Sequence, residues 1–278
     1  SAIRIYKVDG LDVVEPFEEN QLPPYFSGTA LFPWPNRLED GKYTYKDVEY
    51  QASINEIDKN NQLHGYSQFF NFDLINKTDK SITTGLHMPA IRDGYPFEIY
   101  VEILYTLDAD GLQMEVSAKN EGTDIAPFAL GWHPWLSVRG NQDDAYLVVD
   151  ANKYIVANDR LLPVEERAVE DTKFSVRKKT SLNKMEFDDA WVDPNYNNGW
   201  AIAELIGADG HKTTISMDQN YKAWQVCNAC GMEGEDYRFA VAIEPMTTIA
   251  NAFKDGRDLI ELQPNSKEFK ATWRIDFE

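Results

Sequence analysis

Hydrophobic and polar residues alternate with a period of two along most of the chain. The alternation runs through residues 97–107 (FEIYVEILYTL) and 112–122 (LQMEVSAKNEG), which flank the turn DADG. Residues 200–206 and 211–218 repeat the arrangement around a second glycine-containing turn, and residues 43–51 hold a shorter version. Alternation of this kind is typical of strands, and a short glycine turn between two of them is typical of a hairpin. The pattern therefore predicts three antiparallel hairpins.

Further apolar segments of strand length fill the rest of the chain. Strands are also predicted at residues 68–78, 145–151, 223–229, 238–244, 259–264 and 268–277. Only residues 163–186 and 246–254 are polar enough for a short helix or turn, and neither shows an apolar stripe. Many strands without alternating helices predict an all-β fold, a large antiparallel β-sandwich with little helix. No linker or repeat divides the chain, so we expect a single domain over residues 1–278.

Composition and charge narrow the class of protein. The chain has 278 residues, 43% of them hydrophobic, and a net charge of -19. The negative charge disfavours nucleic acid and anionic lipid as partners. No apolar run approaches the length of about 20 residues that spans a bilayer, and the first residues lack the pattern of a secretory signal. We expect a cytoplasmic protein without nucleic-acid or membrane partners; the sequence leaves its oligomeric state open.

The two cysteines, Cys227 and Cys230, form a single CNAC pair. Zinc would need two more ligands and no second pair exists, so we interpret them as free thiols and expect no metal. The chain also lacks GxSxG, HExxH, a phosphate-binding glycine loop and a Rossmann fingerprint. These absences disfavour metal-dependent hydrolases and nucleotide-binding enzymes.

Two prolines flank Trp34 in the segment PWPNR. Each proline fixes its own φ and keeps the preceding residue extended, so Asn36 and Arg37 follow a rigid support. One interpretation is a stiff surface turn with an exposed arginine. The other is a support that directs Asn36 and Arg37 toward a ligand. Trp34 is either a core residue or a platform for a sugar ring.

Histidines and one glutamate are the main candidates for acid–base chemistry. His64 (QLHGY) and His133 (LGWHPWL) lie among aromatic and turn residues, whereas His87 and His211 lie in strand-like segments and are predicted to be structural. Glu244 follows an apolar strand and precedes a proline. We expect the strand to stop there and to leave this carboxylate at the sheet margin, in apolar surroundings that raise its pKa and suit a base.

The segment FDDAW adds an acidic candidate, Asp188 or Asp189. Adjacent residues of a strand point to opposite faces, so at most one of the two faces a shared site. Aromatic faces stack on the C–H faces of sugars, and polar side chains bind their hydroxyl groups. The whole set of candidates therefore indicates a carbohydrate ligand.

Several segments in this order resemble the aldose 1-epimerase (galactose mutarotase) family. They are PWPNRLEDGKY, LHGY, ALGWHPWL, FDDAW, AWQV and VAIEPMTTIANAF followed by LIELQP, and they extend from about residue 10 to the C-terminus. The resemblance implies a galactose mutarotase-like β-sandwich that needs no cofactor. It implies an isomerase that interconverts the α and β anomers of an aldohexose such as glucose or galactose.

The resemblance also implies a role for each candidate. Glu244 corresponds to the catalytic base and His133, as an imidazolium, to the catalytic acid. His64 and Arg37, which follows Asn36, correspond to groups that bind substrate hydroxyls and position the ring.

Asp188 matches the aspartate of the family's L-D-x-x-aromatic segment, and a carboxylate there would help to keep a histidine protonated. Phe187 precedes it and a second acid follows, so Asp189 is the alternative. Family members usually have about two more strands' worth of sequence before DGLDVVEP, so we expect the edge of the first sheet to differ.

Two other functions fit the same sequence. A hexose-6-phosphate 1-epimerase would share the sandwich and the acid–base pair but needs a basic cluster for the phosphate, and only Arg37 lies near the motifs. A non-catalytic carbohydrate-binding module would keep the aromatic platform without acting on the sugar.

Overall fold

The computed structural model describes residues 1–228 and 239–278, and β-strands dominate both ranges. In chain order the strands are β1 (Lys7–Val8), β2 (Leu11–Asp12), β3 (Ala30–Leu31), β4 (Arg37–Glu39), β5 (Lys42–Tyr45), β6 (Val48–Gln51), β7 (Asn61–Leu63), β8 (Asp73–Lys77), β9 (Ser81–Met88), β10 (Ile99–Asp108), β11 (Gly111–Asn120), β12 (Ala126–Phe128), β13 (Gly131–Trp132), β14 (Trp135–Ser137), β15 (Tyr146–Val149), β16 (Ala151–Ala157), β17 (Pro163–Ala168), β18 (Thr180–Ser181), β19 (Asp188–Pro194), β20 (Trp200–Ile206), β21 (Lys212–Asp218), β22 (Ala223–Cys227), β23 (Ala240–Met246), β24 (Ile260–Leu262) and β25 (Phe269–Phe277). One short α-helix, α1 (Ala252–Asp255), and 3-10 turns at Pro24–Phe26, Ile57–Lys59, Ser67–Phe69 and Gln142–Asp144 complete the described elements.

Two large antiparallel sheets form the body of the fold. The first has nine strands in the order β18-β15-β20-β21-β25-β11-β10-β9-β8. The second has eight: the path β17-β16-β19-β22-β23-β13-β3, with β14 paired to β23 beside β13. Four two-stranded sheets, β1-β2, β4-β7, β5-β6 and β12-β24, lie outside these two.

The two large sheets share one continuous hydrophobic core. Ile103 and Trp273 from the nine-stranded sheet pack in the same buried cluster as Trp191, Trp224 and Ile243 from the eight-stranded sheet. Burial of these large side chains is the main favourable contribution to folding. The predicted antiparallel β-sandwich is confirmed.

The eight-stranded sheet buries its two faces in different ways. Strands β19, β22 and β23 send Trp191, Trp224 and Ile243 into the main core. With the period of two of a strand, their alternate residues point the other way, and these include Asp188, Gln225 and Glu244. The face opposite the core is therefore the one that carries polar side chains.

The predicted hairpins are confirmed, while some other predicted boundaries are wrong. Residues 99–108 pair with 111–120, and residues 200–206 with 212–218. The short hairpin at 43–51 also forms, as β5 and β6. In the segment 68–78 only Asp73–Lys77 is a strand, because a 3-10 turn occupies its start.

The segment 163–186 does not form a helix. Its first residues, Pro163–Ala168, form β17 and pair with β16, so pairing at the sheet edge overrides the local preference of a polar sequence. The short helix α1 begins in the segment 246–254 and ends one residue beyond it. Among the strands of seven or more residues, β9, β16 and β19 were not predicted, and most strands of two or three residues were also missed. The predicted strands 223–229 and 238–244 run into residues outside the described ranges.

None of the helices in the described part of the chain has the length and apolar character that a membrane-spanning helix requires.

Candidate functional site

A cavity of about 150 Å³ lies on the polar face of the eight-stranded sheet. It is lined by all six residues that the sequence predicts for the site: Asn36, Arg37, His64, His133, Asp188 and Glu244. These residues come from five separate stretches of sequence, and the fold brings them together.

Glu244 and His133 face each other in this cavity. The distance between His133 Nε2 and Glu244 Oε1 is 3.5 Å. Glu244 is 2% exposed and His133 is 6% exposed. Glu244 Oε2 and His133 Nδ1 have no hydrogen-bond partner among the described residues. A buried polar atom without a partner is costly, so this pair is suited to receive hydrogen bonds from a ligand.

The expectation that Glu244 lies at the sheet margin is wrong. Strand β23 continues through Pro245 to Met246, in the interior of the sheet between β22 and the β13/β14 side. The partner on that side is interrupted, because β13 pairs with β23 at Met246 and β14 pairs with it only up to Ala242. A proline, which has no N–H to donate, is tolerated opposite such a gap. His133 lies in the interruption, which is why it meets Glu244.

Burial sets the protonation of this pair. Burial raises the pKa of Glu244 well above its ordinary value, the charge of Asp188 adds to that rise, and Arg37 opposes it. Burial lowers the pKa of His133 to about 3, and the charge of Arg37 also lowers it. In the empty site, burial therefore favours the uncharged form of each group. Burial opposes the imidazolium that the resemblance implies for His133, because the charged ring would lose its solvation.

Asn36 and His64 form a reciprocal pair beside the acid–base couple. The Asn36 backbone N–H donates to His64 Nδ1 over 3.0 Å, and the His64 N–H donates to the Asn36 carbonyl over 2.9 Å. Both residues have positive φ, 58° for Asn36 and 64° for His64, a region that asparagine and histidine adopt more readily than most residues. Burial, His133 and Arg37 all lower the pKa of His64. His64 is therefore neutral, and its proton is on Nε2.

Arg37 is held by two carboxylates. Its Nε donates to both oxygens of Glu56 at 3.1 Å, and its Nη2 donates to Asp188 Oδ2 at 3.2 Å. Gln225 Nε2 donates to the other oxygen of Asp188 over 2.8 Å. Only 11% of the arginine side chain is exposed, so the interpretation as an exposed surface arginine is wrong. The guanidinium lies fixed at the cavity wall.

Asp188, rather than Asp189, lines the cavity. The Asp189 carboxylate lies 3.8 Å from Lys173 Nζ instead. This separation follows from strand geometry, because successive side chains alternate between faces. Asp188 contacts Arg37 and Gln225, so the predicted support of a histidine is replaced by an interaction with arginine.

Aromatic rings pack around the two histidines. The Phe26 ring lies 4.5 Å from that of His64, and Trp135 stacks on His133 at 5.6 Å. Trp34 does not belong to this group: it is 2% exposed, packs 4.9 Å from the Phe253 ring and is a core residue. The alternative of a sugar platform at Trp34 is therefore wrong.

Six residues of the cavity wall were not singled out from the sequence: Tyr25, Phe26, Glu56, Leu63, Trp135 and Gln225. Gln225 and Trp135 lie inside the quoted segments AWQV and ALGWHPWL, so their position in a strand could have identified them. Glu56 lies in a polar stretch without a motif, and nothing in the sequence marks it.

The two histidines that were predicted to be structural lie outside the cavity. His87 pairs with Glu121 at 2.6 Å on the surface, and His211 pairs with Asp209 at 3.0 Å, both outside the cavity, in agreement with their predicted structural roles.

Cys227 lines the cavity but is disulfide-bonded, so its interpretation as a free thiol is wrong, and Cys230 lies outside the described residues. Within residues 1–228 and 239–278, no cluster of His, Cys, Asp and Glu has the arrangement of a metal site.

Comparisons with known proteins identify related sequences. Residues 2–273 match the family model of aldose 1-epimerase. The uncharacterized protein YihR of Escherichia coli is 30% identical over 258 residues, which is 91% of this chain and 80% of that protein. Human galactose mutarotase is 30% identical over 173 residues, which is 59% of this chain and 48% of that enzyme.

Solved structures show the same fold. The galactose 1-epimerase of Lactobacillus acidophilus superposes with a TM-score of 0.83 at 18% identity, over all of this chain (100%) and 88% of that one. The GalM/aldose epimerase homologue of C. elegans gives a TM-score of 0.84 at 18% identity, over 96% of this chain and 88% of that one. The galactose mutarotase-like sandwich expected from the sequence is confirmed.

Proposed function

Because the chain belongs to the aldose 1-epimerase family, we propose that it interconverts the α and β anomers of a neutral aldohexose such as glucose or galactose. The observation that carries this proposal is the buried Glu244–His133 pair, 3.5 Å apart at the cavity. A cavity of about 150 Å³ suits a single sugar ring, since pockets for drug-sized ligands measure about 300–1,000 Å³.

The chemistry requires one proton to leave and one to arrive. Opening the ring removes the proton of the C1 hydroxyl and adds a proton to the ring oxygen. Rotation about C1–C2 then presents the other face of the aldehyde, and closure reverses both transfers. A positioned acid or base contributes typically about 10²- to 10⁴-fold to the rate. Two facing groups that share one proton can perform both transfers.

The neutral pair becomes active when the sugar binds. Hydroxyl groups of the substrate supply hydrogen bonds to the charged forms, and this favours transfer of the shared proton from Glu244 to His133. Glu244 then accepts the C1 hydroxyl proton while His133 protonates the ring oxygen. The roles reverse on closure, and the pair regains its starting state without a net change in protons.

The other cavity residues hold the ring while its C1 end moves. Asn36, Arg37, His64 and Asp188 present donors and acceptors to substrate hydroxyls, and their geometry is fixed before binding by the contacts among them. Fixed groups orient a substrate at low entropic cost. We assign them to substrate binding.

The charge of the cavity favours a neutral sugar over a hexose 6-phosphate. Among the lining residues that the structure describes, Arg37 is the cation, and Glu56 and Asp188 already pair with it. A phosphate carries two negative charges near neutral pH and is usually met by several basic groups. The described lining offers no such cluster.

A polarimetric assay on a panel of sugars tests the proposal. Freshly dissolved α-glucose, α-galactose and glucose 6-phosphate are followed with and without the protein. We expect faster mutarotation of at least one neutral hexose. Acceleration restricted to the phosphate would favour the hexose-6-phosphate 1-epimerase. Binding of galactose, detected by calorimetry, without acceleration of any sugar would favour the non-catalytic module.

A further inference from the structure

Glu56 is a cavity carboxylate that the proposed acid–base chemistry does not use. It lies directly before the 3-10 turn Ile57–Lys59, and its side chain is 16% exposed. Its backbone exchanges hydrogen bonds with Asn61 at 3.1 Å in both directions, and Asn61 Nδ2 donates to Glu56 Oε2 at 2.8 Å. The carboxylate is therefore held in place independently of any ligand.

The side chain of Glu56 occupies one edge of the Arg37 guanidinium. Both Glu56 oxygens lie 3.1 Å from Arg37 Nε. Arg37 Nη2 donates to Asp188 Oδ2 at 3.2 Å, and Nη1 donates to Asn36 Oδ1 at 3.4 Å. Guanidinium groups bind carboxylate and phosphate through pairs of parallel N–H donors. Each nitrogen of this guanidinium donates to a protein acceptor, which leaves one N–H on each of the two terminal nitrogens for a ligand. An anion at these two N–H groups would lie beside the carboxylates of Glu56 and Asp188, whereas a neutral hydroxyl could accept from them without that repulsion.

The charges around Arg37 sum to a negative value. One guanidinium faces two carboxylates, those of Glu56 and Asp188, and these three side chains are between 11% and 21% exposed. Charges at that level of burial are screened less than surface charges. His64 lies beside His133 in the cavity, and its lowered pKa favours the neutral ring, so it adds no positive charge. A negatively charged sugar entering the described cavity is therefore repelled.

We propose that Glu56 is a specificity-determining residue that excludes anionic sugars from this site by occupying Arg37. The inference rests on the proposed function and deepens it. A neutral hexose needs acceptors and donors for its hydroxyls, and the Arg37–Glu56–Asp188 cluster supplies both. A uronic acid or a phosphorylated sugar needs a cation whose charge is not already neutralised. Glu56 neutralises the charge of Arg37.

The test compares one neutral and one anionic sugar in the same protein sample. D-Glucose and D-glucuronate differ at C6, where the second carries a carboxylate. Mutarotation of each is measured by polarimetry, and the ratio of kcat/KM for glucuronate to that for glucose is calculated. We expect Glu56→Gln, which keeps the shape and one acceptor for Arg37 Nε, to raise this ratio on the order of tenfold. Because both rates come from one sample, partial unfolding lowers them equally and leaves the ratio unchanged.

A matched variant and a change of salt separate charge from structure. Glu166 also pairs with an arginine, Arg257, but lies outside the cavity, so Glu166→Gln should leave the ratio at its parent value. Raising the ionic strength to 1 M shortens the Debye length to about 3 Å and should reduce the difference between parent and Glu56→Gln. A purely structural role of Glu56 would not respond to salt in this way.

The outcomes separate this inference from the function on which it depends. A parent protein that accelerates neutral hexoses, together with a Glu56→Gln ratio within twofold of the parent, would overturn the role of Glu56 alone. A parent protein that accelerates none of the sugars would overturn the proposed function and this inference with it. A parent that prefers glucuronate to glucose would also contradict the exclusion of anions.

Discussion

His133 Nε2 lies 3.5 Å from Glu244 Oε1, and both side chains are more than nine-tenths buried. This proximity depends on the interruption between β13 and β14, which leaves β23 without a partner on that side at the position of Glu244, while β22 pairs with it on the other side. Burial drives both groups to their uncharged forms. With both groups in the uncharged forms that burial favours, the pair would hold one transferable proton, and the first two predictions below concern these two groups.

Glu244→Gln should abolish the acceleration of mutarotation. The amide cannot accept the C1 hydroxyl proton, and we expect kcat to fall by about 10²-fold or more. Stability should change little, since burial already keeps Glu244 uncharged and the amide has nearly the same shape. Polarimetry measures the rate and thermal unfolding measures stability. Glu204→Gln, which pairs with Lys212 on the other large sheet, is the control and should retain full activity. A fully active Glu244→Gln would show that this carboxyl is not the base.

His133→Asn should alter the pH dependence of stability. The unfolded chain binds a proton at this histidine near pH 6.5, whereas in the folded protein the pKa is lowered to about 3. The unfolded state therefore binds more protons between these values, and stability falls as the pH drops below 6.5. In His133→Asn, the free energy of unfolding should therefore fall less steeply on acidification, by up to about 1.4 kcal/mol per pH unit.

Urea unfolding between pH 5 and 7 measures this effect. His87→Asn is the control, because His87 lies on the surface with Glu121 and outside the cavity. Glu244 affects the stability in the opposite sense. Its pKa is raised in the folded protein, so the folded state binds more protons than the unfolded state above about pH 4.5, and the contribution of Glu244 to the free energy of unfolding declines as the pH rises. Equal slopes in the parent and His133→Asn would contradict the lowered pKa.

Arg37→Lys should weaken substrate binding more than it slows the chemistry. Lysine keeps the positive charge but lacks the planar guanidinium, whose several N–H groups bind Glu56 and Asp188 at the same time. We expect KM for the neutral hexose to rise on the order of tenfold, with a smaller change in kcat. Arg167→Lys, at an exposed pair with Glu165, should leave both constants unchanged. A fall in kcat with KM unchanged would instead place Arg37 in the acid–base step.

Trp34→Ala should destabilise the protein without a specific effect on sugar binding. The indole is buried and packs against Phe253, Tyr66 and Tyr43, so its removal should cost about 3–5 kcal/mol. Urea unfolding gives the free energy, and KM of the remaining folded protein should match that of the parent. Trp200→Ala, at a half-buried position under Arg274, should cost less. A raised KM with little loss of stability would restore the sugar-platform interpretation of Trp34.

The sequence predicted the sandwich because alternation of apolar residues is a local signal. Paired strands such as 99–108 and 111–120 follow one another directly, so their pattern and turn were enough. The segment 163–186 was ambiguous because the polar strand Pro163–Ala168 lies at an edge, where solvent-facing residues do not alternate clearly. Tertiary pairing determines such a strand, and a local pattern cannot show it.

The site residues were predicted from motifs, but their environment was not. Burial determines the protonation of Glu244 and His133, and it depends on loops from distant parts of the chain. The expected raised pKa of Glu244 agrees with its burial, but its expected place at the sheet margin was wrong because β23 continues to Met246. Burial also opposes the imidazolium that the resemblance implies for His133. Glu56 was missed because its significance lies in its contact with Arg37, 19 residues away in sequence.

The alternation of core and polar side chains along β19, β22 and β23 has a consequence for how this site can change. Inserting or deleting one residue in any of these strands would exchange the two faces, placing a tryptophan or isoleucine in the cavity and a carboxylate or amide in the core. Such a change would destabilise the folded protein and would also remove the side chains of the site. Variation in length is therefore tolerated only in the loops, and a loop residue such as Glu56 is where a new sugar preference can arise by single substitutions.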